Sequence, residues 1–183
     1  AEANEPVPAQ ESANPYYTRV DLGMNDETVV TIFQHLDSKT VIKRMFNFRG
    51  TIIQDVYKSV VADFKIERWY LPHDAGQVRG YTSSDSVSRV LNKLGARIKV
   101  LPRTNSVMDD INYIRSKLDR VHWEDTPSVN ALRDKVLVYS NEGGKLDHCD
   151  YADSFRYSMI GCRLLDNDVP NSNFIGSDDW IAA

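Results

Sequence analysis

The sequence predicts an α/β fold built around a mixed sheet. Three observations predict it: the chain opens with three consecutive β-favouring segments, its hydrophobic period then changes to the helical one, and helical and strand-like segments alternate from there on. Consecutive strands imply antiparallel hairpins, whereas strands separated by helices imply crossovers and parallel pairing. At 183 residues and 42% hydrophobic content, the chain can bury one sizeable core and is too short for two domains of ordinary size.

Residues 1–15 (AEANEPVPAQESANP) lack apolar periodicity and read as an extended leader resembling an interdomain linker. The folded domain is expected over residues 16–163. Within it, residues 17–21 favour β structure, residues 22–26 supply a turn, and residues 28–33 are rich in β-branched side chains, so a hairpin is predicted. Residues 39–48 make a third strand. After Gly50 the apolar residues Ile52, Ile53, Val56, Tyr57, Val60, Val61 and Phe64 recur at helical spacing. A fourth strand over residues 68–71 is stopped by Pro72. A second helix is predicted over residues 84–94, with Ser84 as N-cap and Gly95 as its stop. A fifth strand spans residues 98–101.

Residues 106–118 read as a helix, with Val107, Ile111, Ile114 and Leu118 on one stripe and Asp109 and Asp110 in the first turn, where the helix dipole favours them. A shorter helix starts at Pro127 and runs to Leu132. Residues 136–139 then look like a strand leading into a hairpin turn at Gly143, Gly144 and Lys145. Residues 150–160 form a closing helix containing Phe155 and Met159. Residues 164–183 are a polar, loosely attached tail.

The net charge of −4 supplies no global field for holding a nucleic-acid backbone, so any such contact needs a local basic surface. Cys149 and Cys162 lack the spacing of a disulfide scaffold or a zinc site, which fits a reducing compartment. With neither a bilayer-length apolar run nor a signal peptide in sight, a soluble intracellular chain without membrane contact is expected.

Four carboxylates carry the chemistry. Asp21 lies at the end of the first strand, Asp74 just past the fourth, and Asp150 and Asp153 one helical turn apart at the start of the last helix. If the first and fourth strands are neighbours, these acids converge on one edge of the sheet. Clustered carboxylates stay ionised only beside cations. Oxygen ligands without a His or Cys set suit Mg²⁺ or Mn²⁺ better than zinc. Two such ions, about 3.5–4 Å apart, activate a water on one side of a phosphodiester and stabilise the leaving oxygen on the other. Each acid also has a plainer reading, as a turn residue for Asp21 and Asp74 and as dipole stabilisation for Asp150 and Asp153.

Asp21-Leu-Gly with Asp26 shortly after, Leu71-Pro-His-Asp-Ala75, and Asp150-Tyr-Ala-Asp-Ser-Phe-Arg-Tyr157 resemble, in order, the three acidic motifs of the nuclease domain in the large terminase subunit of tailed double-stranded DNA bacteriophages. The resemblance implies a ribonuclease H-like fold and metal-dependent endonuclease cutting of concatemeric double-stranded DNA during genome packaging. It also implies the host cytoplasm as the place of action, and as partners an N-terminal packaging ATPase, a small terminase subunit and a portal. Asp21 and Asp74 match the first two metal-binding acids. The third falls on Asp150 or Asp153, with Asp150 favoured because it is closer to the helix entry. No Gly-x-x-x-x-Gly-Lys-Ser/Thr phosphate loop occurs here, so the packaging ATPase is absent from this chain, and together with the linker-like start this reads as an excised C-terminal domain.

Other residues weigh less. Asp26 either supports the site or closes a hairpin, and the hairpin is favoured. His73 has a reading as a residue orienting a water or binding phosphate, but as a strand neighbour of Asp74 it is expected to point away from the acids; His148 and Cys149 have no partner pair at soft-metal spacing and are expected as packing and turn residues. Lys93, Arg97, Lys99 and Arg103 form a basic run that reads first as solvated surface and second as a DNA backbone contact, as does Lys145. Trp69 and Tyr70 are expected in the core. Two alternatives compete with the nuclease reading: a non-catalytic module docking DNA or the portal, and another ribonuclease H-like enzyme such as a resolvase or an RNA-cleaving nuclease.

Overall fold

The computed structural model describes residues 14–22, 27–36, 39–77, 85–103, 106–138 and 150–168. Its elements run β1 (Tyr16–Asp21), β2 (Glu27–Leu36), β3 (Lys39–Arg49), α1 (Ile53–Asp63), β4 (Ile66–Leu71), α2 (Val87–Lys93), β5 (Ile98–Val100), α3 (Val107–Arg115), β6 (Val121–Trp123), α4 (Pro127–Val138) and α5 (Asp150–Asp168). The strands form one six-stranded sheet in the order β5-β4-β1-β2-β3-β6. β1, β2 and β3 pair antiparallel, as expected for hairpin-connected strands. β4 and β5 add in parallel beside β1, and β6 adds in parallel beside β3. The first and fourth strands are therefore neighbours.

Helices cover both faces of the sheet, which is why its central strands are apolar on both sides instead of alternating. On one face Tyr16 and Val20 of β1, Val30 and Ile32 of β2, and Trp69 and Leu71 of β4 pack with Ile53, Val56 and Val60 of α1 and with Val87, Val90 and Leu91 of α2. On the other face Val29, Phe33, Ile42 and Tyr70 pack with Ile114, Val129 and Leu132 and with Phe155, Met159 and Cys162 of α5. Trp69 and Tyr70 are both core residues, each only 1% exposed, pointing to opposite faces as strand neighbours must.

α5 is fixed along the sheet by two buried polar contacts. Ser154 Oγ and Thr31 Oγ1 of β2 are 2.9 Å apart, and Thr40 Oγ1 of β3 donates to Cys162 Sγ at 3.3 Å. Thr40 is level with His35 of β2. Eight helical residues and four strand residues advance by about the same length, about 12–14 Å, so α5 runs along β2 in the same direction and antiparallel to β1. Its first turn is thereby directed to the edge where β1 ends. Gly161 of the helix lies over the Tyr70 ring of β4, at a distance where a Cβ would make ordinary van der Waals contact.

Several sequence expectations are corrected. α2 begins at Val87 with Ser86 as its N-cap, accepting a hydrogen bond from the Arg89 amide at 3.3 Å; the predicted cap Ser84 lies outside the described residues. Gly95 does follow the helix in the left-handed region, at φ +89°. α3 stops at Arg115, and a 3-10 turn follows at Leu118–Arg120. The strand expected from residue 136 does not form there: residues 136–138 are the last turn of α4, where Val136 packs against the α5-side core. β6 is additional to the expected strands. α5 continues to Asp168, past the expected end at residue 160. Asp26, Lys145, His148, Cys149 and the predicted turn around Gly143 and Gly144 lie outside the described residues, as do residues 1–13 and 169–183. Among the described residues, no helix is long and apolar enough to cross a membrane.

Candidate metal centre

Asp21 is the last residue of β1, level with Val29 of β2. In the parallel β1–β4 pair Thr18 is level with Trp69 and Arg19 with Tyr70. Continued to the strand ends, that register sets Asp21 beside Pro72, two residues before Asp74. Pro72 ends β4 because it cannot donate to the ladder. The turn it begins is tied by backbone hydrogen bonds from Ala75 N to Pro72 O (3.0 Å), from Gln77 N to Asp74 O (2.9 Å) and from Ser88 N to Ala75 O (3.1 Å). Ala75 is buried in the core under α1 and α2. Asp74 is thus held in place by backbone and packing, half-buried like Asp21.

Asp150 and Asp153 belong by their backbone to the first turn of α5. Asp150 is four residues, about 6 Å of helix, before Ser154, and Ser154 meets Thr31. Two strand residues back along β2 from Thr31 is Val29, the partner of Asp21. The helix start is therefore level with the end of β1. The side chains of Asp150 and Asp153 are outside what the structure describes. Among the described residues, no group of three His, Cys, Asp or Glu side chains is arranged to hold a metal ion. The two described carboxylates at this edge, Asp21 and Asp74, are hard oxygen ligands on fixed backbone, which fits divalent Mg²⁺-type binding in which further ligands come from the α5 start or from water.

A buried charge near this edge that the sequence pattern does not single out is Arg19. It sits in the middle of β1 on the same face as Asp21, with no exposed surface, beneath α5. Its guanidinium carbon is 3.9 Å from the centroid of the Tyr157 ring, and the Arg156 guanidinium carbon is 4.3 Å from that centroid. Arg156 is in turn paired with Asp110 of α3 at 3.0 Å. Burial pushes the Arg19 guanidinium down to about 9; the Asp21 carboxylate and then Tyr157 oppose that shift, the Arg156 charge adds to it, and Asp74 opposes it. The signal available in the sequence is a charge in an otherwise apolar strand, two residues before the candidate ligand.

Around this edge, Tyr70 is raised to about 12 by burial, against the pull of Arg68, and remains a phenol at neutral pH. His73 is exposed. The basic run divides. Lys93 is taken up by Asp85 at 2.6 Å and Arg97 by Glu67, whereas Lys99 and Arg103 are exposed with no ion pair among the described residues. Leu101 N donates to Leu71 O, so Arg103, two residues farther, emerges at the same end of the sheet as Asp74.

No protein-family model matches the sequence, and no curated protein matches it. Solved structures do match. A large terminase from a thermophilic bacteriophage superposes with a TM-score of 0.61 at 14% identity, over 85% of this chain and 42% of that one. The P22 large terminase nuclease domain gives a TM-score of 0.59 at 16% identity, over 84% of each chain. The large terminase nuclease from thermophilic phage G20c with bound magnesium gives 0.56 at 18% identity, over 81% of this chain and 82% of that one. Structures of that nuclease with bound zinc and with bound cobalt match as well. At these identities the shared property is the fold, which is the ribonuclease H-like fold of terminase nuclease domains. The chain spans about two-fifths of the first of these large terminases.

Proposed function

We propose that this chain is a divalent-metal-dependent endonuclease that cuts concatemeric double-stranded viral DNA during genome packaging, in the host cytoplasm. The observation that carries the reading is the parallel pairing of β1 with β4, which has Asp21 at the end of one strand and Asp74 in the turn after the other, with the first turn of α5 at the same height. The fold shared with terminase nucleases, one of them crystallised with magnesium, supports it. Asp21 and Asp74 would hold the metal, with Asp150, the nearer of the two in height, or Asp153 completing the ligand set for two Mg²⁺ or Mn²⁺ ions. When bound, such ions supply Lewis-acid stabilisation of the attacking and leaving oxygens of the phosphodiester. The chain's own part is to fix the acids: Pro72 and the hydrogen-bonded turn after it set Asp74, and the β1–β2 ladder sets Asp21. The partners that follow are a packaging ATPase domain, a small terminase subunit and a portal. The motor would hold DNA close to a nuclease whose own electrostatic affinity is modest.

Incubation of the chain with supercoiled plasmid tests this. Nicking in Mg²⁺ or Mn²⁺ that stops with EDTA is expected, with duplex cut in preference to a four-way junction or an RNA–DNA hybrid. No divalent-ion binding and no cleavage with any metal would leave a docking module, and preference for the junction or the hybrid would indicate a different nuclease of the same fold.

The emergence of Arg103 beside Asp74 makes a narrower prediction. Arg103→Ala weakens duplex binding and lowers the slope of log affinity against log salt by about 1, as loss of one phosphate contact does. Lys93→Ala, removing a charge already paired with Asp85, leaves that slope unchanged. Fluorescence anisotropy with a labelled duplex across a salt series, in Ca²⁺, measures both.

A further inference from the structure

We propose that Arg19 is an internal counter-charge of the carboxylate site, a positioning residue that holds down the resting affinity of Asp21 and Asp74 for divalent cations, so that metal loading is strengthened by a bound nucleic-acid phosphate. The inference rests on the nuclease reading above and concerns how that site is regulated.

Its physical basis is a charge in an unusual place. Arg19 has no exposed surface, and its Nε, Nη1 and Nη2 atoms have no hydrogen-bond partner among the described residues. Its close contact is the face of Tyr157, at 3.9 Å. A guanidinium buried without hydrogen bonds is costly, and a Met or Leu in a strand under a helix would pack there without that cost. What opposes the cost is electrostatic. Asp21 is two residues along the same strand face, with Cα atoms about 7 Å apart by strand rise, and its carboxylate opposes the downward push of burial on the guanidinium. The other buried cation nearby, Arg156, already has its own carboxylate in Asp110. Arg19 is thus a buried cation on the strand face that ends at Asp21.

A divalent ion at Asp21 and Asp74 meets this positive charge through protein, where the interaction is screened far less than at a surface. Arg19 therefore lowers the site's affinity for metal while holding the acids together without it. A DNA phosphate at the edge restores negative charge and raises metal affinity, and by linkage the metal raises DNA affinity by the same factor.

Calorimetric titration of the full chain with Mn²⁺ tests this, without DNA and with a short duplex, gel analysis after the titration confirming that the duplex is uncut. Arg19→Met is expected to bind Mn²⁺ at least tenfold more tightly than the parent, both without DNA and with the duplex. Arg19→Lys, which keeps the charge, retains the parent's affinity and its coupling. If Arg19→Met does not fold, Arg19→Gln carries the same expectation, with circular dichroism confirming the fold. Unchanged or weaker Mn²⁺ binding in a folded neutral variant overturns the proposal while leaving the nuclease reading intact. A parent chain that neither binds Mn²⁺ nor cuts plasmid overturns both.

Discussion

Asp74→Asn abolishes metal-dependent nicking and leaves the fold in place. The substitution removes one negative charge and keeps shape and volume, so it acts on the site's affinity for a cation. Backbone hydrogen bonds tie the turn, from Gln77 N to the Asp74 carbonyl and from Ala75 N to the Pro72 carbonyl, and asparagine keeps both. A lost metal ligand removes several kcal/mol of transition-state charge stabilisation. At about 1.4 kcal/mol per factor of ten, the expected loss in nicking rate is on the order of a thousandfold or more. Time courses of plasmid nicking in Mn²⁺, beside circular dichroism spectra superimposable on the parent's, make the measurement. An Asp74→Asn protein that nicks at the parent rate removes Asp74 from the mechanism. Asp21→Asn is expected to behave alike, since the parallel β1–β4 register brings the two acids to one edge.

That register is legible in the sequence only conditionally. The residues of β1 to β4 announce themselves by β-branched and aromatic runs broken by turn residues, so the strands and the acids at their ends can be read. Whether β1 lies beside β4 is a matter of topology, which local pattern does not carry. β6 is invisible for a related reason: Val121, His122 and Trp123 are too few to show a period, and they become a strand only by pairing with Thr40, Val41 and Ile42. The run Val136-Leu-Val-Tyr139 misleads in the opposite direction. Its β propensity is real, but Val129 and Leu132 already bury the face of α4 against the sheet and α5, and Val136 extends that face by one helical turn. Arg19 is hidden most thoroughly. A charge in an opening strand reads as a solvent-facing position until α5, more than a hundred residues later, closes over it.

Asp110→Ala is expected to destabilise the fold by about 3–5 kcal/mol, the cost of leaving one partner of a buried ion pair without the other. The pair joins α3 to α5, with Arg156 Nη1 3.0 Å from Asp110 Oδ2 and the two side chains only 8% and 14% exposed. The sequence pattern alone assigns Asp110 to the helix dipole, a contribution of about 0.3–1 kcal/mol. The two accounts therefore differ several-fold and separate cleanly. With a urea m-value of about 2 kcal/mol/M, the ion-pair account shifts the unfolding midpoint down by roughly 2 M and the dipole account by less than about 0.5 M. The double substitution Asp110→Leu with Arg156→Met recovers most of the loss, because it removes both charges and returns apolar volume to a region already lined by Ile111, Ile114 and Phe155. Recovery in the double variant would assign the cost to the broken Asp110–Arg156 pair; the Arg156 guanidinium also stacks on the Tyr157 ring shared with Arg19.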